Sequence, residues 1–268
     1  MDLAGFDQFP FASGGIAKTV YRKGEGPAVL LMHELPGMVP ECVALAEAIA
    51  EAQYTVYLPL FFGKPGERVG LPEMYRQMCV SQEFQALRAG VDRPIANWLR
   101  ALLAGPIRSE RPGPSGAIGM CLTGGFALGM LIDENIVAPV VCQPSLPFAV
   151  PVVCGRARRE DLGLSPEEMN AARARSDVPI LGFRFEGDWI SPREKFQTLR
   201  SEFGDRFREK QLPGDSHSTL TVHFHRLSPD NRDWVWRTLF DFLNERLKGG
   251  QGIVPPQPLP QPKSRSRS

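Results

Sequence analysis

The chain has 268 residues, 43% of them hydrophobic and 23% charged, and a formal net charge of +1. That length allows one large α/β domain with a substantial core, or two small ones. The near-neutral charge gives no electrostatic case for nucleic acid or an acidic membrane as partner. Residues Met1 to Pro10 contain Asp2 and Asp7 and lack the charged-then-apolar layout of a signal peptide. The five cysteines, Cys42, Cys79, Cys121, Cys142 and Cys154, form no CxxC or metal-type spacing. Their odd number, with no leader, predicts reduced thiols in a cytosol-like, cytoplasmic compartment.

Strands and helices alternate along the chain. Ala28–Met32 is a short apolar run expected to be a buried strand, Glu41–Gln53 has helical spacing, and Thr55–Leu58 returns to strand. Pro72–Leu103 reads as largely helical with a break near Pro94, and a Gly/Pro-rich loop follows it. Next come a strand at Ala117, a helix over Gly124–Ile132 and a strand at Val137–Val141. Strand Val178–Phe185, helix Pro192–Phe203, a last strand at Asp205–Gln211 and a closing helix at Asp230–Leu247 complete the series. The uncharged run Ile136–Cys154 is interrupted by Pro139, Pro144, Pro147 and Pro151, which excludes a continuous membrane helix. The alternation predicts a mostly parallel sheet covered on both faces, with ligands at the carboxyl ends of its strands. Residues 1–248 are expected to form a single domain. Residues 249–268, with five prolines followed by Lys-Ser-Arg-Ser-Arg-Ser, are expected to form a disordered tail.

The chemistry concentrates at Ala117-Ile-Gly-Met-Cys121-Leu-Thr-Gly-Gly125. A strand that ends in glycine, then a nucleophile-type residue, then small residues opening a helix, has the shape of a nucleophile elbow; the usual occupant is serine, and here it is cysteine. A thiol nucleophile needs a base, and the base needs an orienting acid. Among four histidines, His217 lies in the turn-rich Pro213-Gly-Asp-Ser-His-Ser218 after the last predicted strand, where such a fold puts its base. His223 and His225 read as ordinary helix or surface residues. Asp188, in Gly187-Asp-Trp-Ile-Ser-Pro192, falls between nucleophile and base. It is the expected acid, although an aspartate there also suits a simple turn cap. Asp215 is the competing acid. Glu34 follows the first buried strand and lies at the mouth of the expected site; taken alone it also fits a solvated turn. Trp189, Phe148 and Phe183 are candidates for an acyl pocket or for core packing, and Arg156, Arg158 and Arg159 for an anion-attracting or merely solvated loop.

Together these motifs resemble the dienelactone hydrolase family of α/β-hydrolases. The carrying residues are Met32-His-Glu-Leu-Pro-Gly37, Gly119-Met-Cys-Leu-Thr-Gly-Gly125, Gly187-Asp188 with Ser191-Pro192, and Gly214-Asp-Ser-His217. The resemblance covers roughly residues 15–247. It implies an α/β-hydrolase fold and a hydrolase for small esters or lactones. Cys121 would be the nucleophile, His217 the base, Asp188 its orienter and Glu34 the residue controlling thiol activation. The backbone N–H groups of Leu35 and Leu122 would form the oxyanion hole. The chain departs from the pattern twice. Thr123 stands where a glycine is usual, and Thr221 stands where well-known members carry an arginine for a substrate carboxylate, which implies a changed substrate. A glycine-rich phosphate loop in the right context is missing, so no cofactor and no metal are expected. The rival readings are an acyltransferase using the same thiol and a non-catalytic binding protein of this fold.

Overall fold

The computed structural model describes residues 3–68, 70, 83–84, 92–146, 159–250 and 255–256. Eight strands form one sheet in the order β1-β2-β4-β3-β5-β6-β7-β8. They are β1 (Asp7–Ser13), β2 (Ile16–Lys23), β3 (Ala28–Met32), β4 (Thr55–Pro59), β5 (Ser115–Met120), β6 (Ile136–Cys142), β7 (Ile180–Phe185) and β8 (Phe207–Leu212). From β4 to β8 all neighbours run parallel, while β1 and β2 are antiparallel additions at one edge. That hairpin was not anticipated. Its signal is Gly14-Gly15 between alternating segments, with both glycines at positive φ, 57° and 79°.

The main helices are α1 (Pro40–Glu51), α2 (Pro94–Leu102), α3 (Phe126–Gly129), α4 (Pro166–Ala174), α5 (Arg193–Phe203) and α6 (Pro229–Leu247). Pleating sends alternate residues to opposite faces. Leu30, Met32 and Ala117 pack with Leu99, Phe126, Ala172 and Phe196 beneath α2 to α5. Val29, Leu31, Ile118 and Met120 pack with Leu45, Ile49, Trp236 and Leu239 beneath α1 and α6. The strands β3, β4, β5 and β7 are therefore buried at every position and read as mostly apolar runs rather than alternating ones. Among the described residues no helix is long and apolar enough to cross a membrane.

Three expectations change in detail. The predicted helix over Gly124–Ile132 is only the four-residue α3, flanked by 3-10 turns at Cys121–Thr123 and Met130–Ile132. Close packing forces that compromise: a Cβ on Gly125 would sit 2.3 Å from the Leu162 carbonyl oxygen. The last strand starts at Phe207 because Gly204–Arg206 forms a tight turn. Helix α4 was not foreseen, although its start carries a capping box, with Ser165 and Glu168 each bonding the other's backbone N–H. Most of the segment predicted as helical between Pro72 and Pro94 lies outside the described residues. So does most of the predicted tail. Pro255 and Pro256, however, lie against α6, where the Trp236 indole N–H donates to the Pro256 carbonyl at 2.6 Å.

The fold places the site through its strand order. Strand β3 leads through α1 to β4 on one side, and the chain then crosses to β5 on the other, so the order reverses between β3 and β5. Ligands of open α/β sheets bind at such a reversal. The register pairs Met32 with Gly119 and Met120 with Cys142. The loops after β3, β5 and β6 consequently leave the sheet side by side.

Candidate active site

Cys121 sits directly after β5 with φ of 53°, in the left-handed region that costs a non-glycine residue on the order of 1–3 kcal/mol. The surrounding structure holds it there. Its carbonyl accepts from the N–H groups of Gly124 and Ser145, both at 3.0 Å. Gly119 has no room for a side chain, since a Cβ would approach the Thr123 carbonyl oxygen to 2.2 Å. Thr123, the departure from the family pattern, stabilises the elbow. Its hydroxyl accepts from the Met120 N–H at 2.9 Å and donates toward the carbonyls of Met32 and Met120, both at 2.9 Å, tying β5 to β3.

The structure brings His217 and Asp188 together, with Nδ1 of the imidazole 2.7 Å from Oδ2 of the carboxylate. A carboxylate only accepts, so Nδ1 carries the proton and Nε2 is left as the basic nitrogen. The other oxygen of Asp188 accepts from the N–H groups of Ile190 and Ser191 at 2.9 and 3.1 Å. Asp188 therefore caps its own turn with one oxygen and meets the His217 imidazole with the other. Asp215, the rival acid, is exposed on the turn, and so is the Trp189 ring, at 79%. Arg184 is buried and donates to the carbonyls of Ser191, Glu186 and Asp188, bracing the whole acid-bearing turn.

Glu34 is fully buried, which overturns the solvated-turn reading. Its oxygens accept from the Thr221 hydroxyl and from the Gln143 amide, the latter at 3.2 Å. Burial pushes its carboxyl pKa up, opposed by His217, Thr221 and Gln143. Burial pushes the His217 imidazole down, but the Cys121 sulfur and the Asp188 carboxylate outweigh it and leave the pKa well above the ordinary value. Leu35 follows Glu34 in a loop closed by the Gly37 N–H on the Glu34 carbonyl at 2.8 Å, and Leu122 lies in the turn just after Cys121.

Ligand atoms of Glu34, Cys121 and His217 all lie within 4.8 Å of one another. Oxygen, sulfur and nitrogen this close are also within reach of a metal ion. Here Thr221 and Gln143 already bond the carboxylate, and Ser145 the sulfur. Nε2 of His217 is buried with no hydrogen-bond partner among the described residues.

Several supporting residues were not visible in the sequence. Gln143, at φ of 31°, spans from Glu34 to Thr219, whose hydroxyl donates to it at 2.6 Å. His33 is buried and neutral; its Nε2 accepts from the Phe61 N–H at 3.0 Å, so Nδ1 is the protonated nitrogen facing the Glu34 carbonyl at 3.1 Å. His223 was read as an ordinary surface residue, and the structure corrects this. Its Nδ1 accepts from the backbone N–H groups of both His217 and Ser218 at 3.1 Å, holding the loop that carries the proposed base. His225 is exposed. Of the pocket candidates, Phe183 is core and Phe148 lies outside the described residues; Arg156 and Arg158 do too, and Arg159 pairs with Glu194 at 3.1 Å. Cys42 and Cys142 are buried free thiols pushed up by burial, whereas Cys79 and Cys154 lie outside the described residues.

His223 makes a pH-dependent contribution to stability. Burial, reinforced by the positive charges of Arg226, His217 and His225, lowers its folded pKa from 6.5 to about 4. Between these values the unfolded chain takes up a proton that the folded chain refuses, so stability falls as pH drops from 6.5 to about 4. Thermal melts across that window should show a shallower decline for His223→Asn, whose carbonyl accepts the same N–H groups without titrating. Parallel curves would refute this account.

No protein-family model and no curated protein matches the sequence. Solved structures do. A Klebsiella pneumoniae protein assigned as a dienelactone hydrolase superposes with a TM-score of 0.64 at 14% identity, covering 90% of this chain and 98% of its own. A dienelactone hydrolase-like promiscuous phosphotriesterase from metagenomic libraries gives 0.63 at 15% identity, with 90% and 98% coverage. An alpha-beta serine hydrolase homologue from Coxiella burnetii gives 0.53 at 14% identity, with 89% and 100% coverage. This chain has the α/β-hydrolase fold. In an α/β-hydrolase the residue after β5 stands on the nucleophile elbow, and the acid and the histidine follow on later loops. In this chain Cys121 follows β5, Asp188 follows β7 and His217 follows β8.

Proposed function

We propose that this α/β-hydrolase cleaves small ester or lactone substrates through a Cys121–His217–Asp188 triad and an acyl-thioenzyme. The observation that carries the reading is the approach of Sγ, a ring nitrogen of His217 and a Glu34 carboxyl oxygen to within 4.8 Å of one another, with Asp188 2.7 Å from Nδ1 of the imidazole. The dienelactone hydrolase-like neighbours support the same reaction class.

In this mechanism the thiol proton passes to Nε2 of His217, and Asp188 stabilises the resulting imidazolium. The thiolate adds to the substrate carbonyl, and the N–H groups of Leu35 and Leu122 hold the oxyanion; one such donor typically contributes about 3 kcal/mol of barrier reduction. His217 returns its proton to the departing alkoxide. It then takes a proton from water as water attacks the thioester, releasing the acid and restoring the thiol. Glu34 modulates the thiol. Ionised, it disfavours a neighbouring thiolate; the protonated form favoured by burial removes that repulsion. Thr221 donates its hydroxyl to Glu34 and offers no cation to a substrate carboxylate.

The test is stoichiometric labelling by an electrophilic ester analogue, mapped by mass spectrometry. The label is expected on Cys121 in the native protein and is expected to be lost in His217→Ala. Labelling that survives in His217→Ala, or that falls elsewhere, overturns the triad.

A further inference from the structure

We propose that Ser145 is an additional catalytic residue, whose hydroxyl donates to the Cys121 sulfur whenever that sulfur carries charge. This rests on Cys121 being the nucleophile. Ser145 Oγ lies 3.2 Å from Sγ and is completely buried in the loop after β6. Among the described residues Sγ is its one hydrogen-bond partner. A second link fixes the distance, because the Ser145 N–H donates to the Cys121 carbonyl at 3.0 Å. The preceding residue, Pro144, packs so closely on Gly124 that a Cβ there would fall 2.7 Å from its Cα. Among the described residues the hydroxyl therefore has no other acceptor, and the backbone that carries it is fixed beside Cys121.

A neutral thiol is a weak acceptor and a thiolate a strong one, and bonds to charged acceptors are roughly twice as strong as neutral ones. A buried hydroxyl confined to sulfur thus gains most when the sulfur is ionised. It acts twice in the cycle. In acylation the thiol proton goes to His217 Nε2 while Ser145 keeps its own proton and stabilises the thiolate. In deacylation the C–S bond breaks, sulfur takes the electron pair, and the same O–H donates to the leaving thiolate.

Among the described residues, the charged groups facing Sγ are Glu34 from the loop after β3 and His217 from the loop after β8, with Asp188 behind the latter from the loop after β7. Gln143, on the Ser145 loop, is neutral. When ionised, Glu34 opposes Ser145 by disfavouring the charge on sulfur that the hydroxyl favours; when protonated, it does not.

The experiment is the pH dependence of Cys121 alkylation by iodoacetamide in the full chain, read by peptide mass spectrometry. Ser145→Ala is expected to move the midpoint up by about half to one pH unit, so that alkylation below it is about 3- to 10-fold slower. Ser145→Gly, a second hydroxyl-free variant, should move it the same way, and Ser145→Thr should restore it. Coincident curves for Ser145→Ala and the native protein overturn the role of Ser145 alone, and so does a downward shift or a Ser145→Thr curve displaced like the alanine one. A native Cys121 that resists alkylation at every pH overturns the nucleophile assignment as well.

Discussion

Asp188→Asn is expected to reduce kcat for a small ester by on the order of 10⁴-fold while leaving the melting temperature nearly unchanged. The two oxygens of Asp188 have separate tasks. Oδ1 holds the turn through the N–H groups of Ile190 and Ser191, and the asparagine carbonyl can take over that task. Oδ2 faces Nδ1 of His217, and there the asparagine presents an NH2 group. Two donors cannot face each other, so the imidazole must shift its proton to Nε2, and Nε2 can then no longer take a proton from Cys121. Asp188→Ala loses the turn as well and should fall in both activity and melting temperature. Steady-state kinetics with parallel thermal melts separates the two variants; an Asp188→Asn enzyme of near-native kcat would remove Asp188 from the mechanism.

Cys121→Ala should abolish turnover, with a loss of at least about 10³-fold, because it removes the atom that forms the covalent intermediate. Cys121→Ser should retain a small residual rate. Its alcohol depends wholly on His217 for deprotonation, in a site whose neighbouring Glu34 carboxyl and Ser145 hydroxyl surround a larger, more acidic sulfur. Both replacements inherit the left-handed backbone at position 121, so a comparison of their melting temperatures with the native value isolates chemistry from strain. Ester hydrolysis at the native rate by Cys121→Ala would end the thiol mechanism.

Position 123 shows how a departure from a family pattern can be compatible with the same geometry. A threonine at the elbow suggests crowding. The structure turns it into a link between β5 and β3, because its hydroxyl reaches the backbone of Met120 and Met32 together. At position 221 the threonine belongs to the buried network around Glu34, to which its hydroxyl donates.

Local chemistry determined much of this protein from the sequence alone. Continuous apolar runs mark strands buried on both faces, small residues after Met120 mark the elbow, and the order Cys121, Asp188, His217 matches strand ends in an alternating α/β chain. These signals are readable because each depends on neighbours a few residues apart. Only the tertiary structure decided how the site is held. Thr221 meets Glu34 across 187 residues, Gln143 meets Glu34 across 109, and Ser145 meets Cys121 across 24. Such contacts depend on strand register and on the paths of loops, which leave no periodicity in the sequence. His223 illustrates the difference. Six residues from His217, it looks like an ordinary surface imidazole, until the loop folds back and places two backbone N–H groups on one nitrogen.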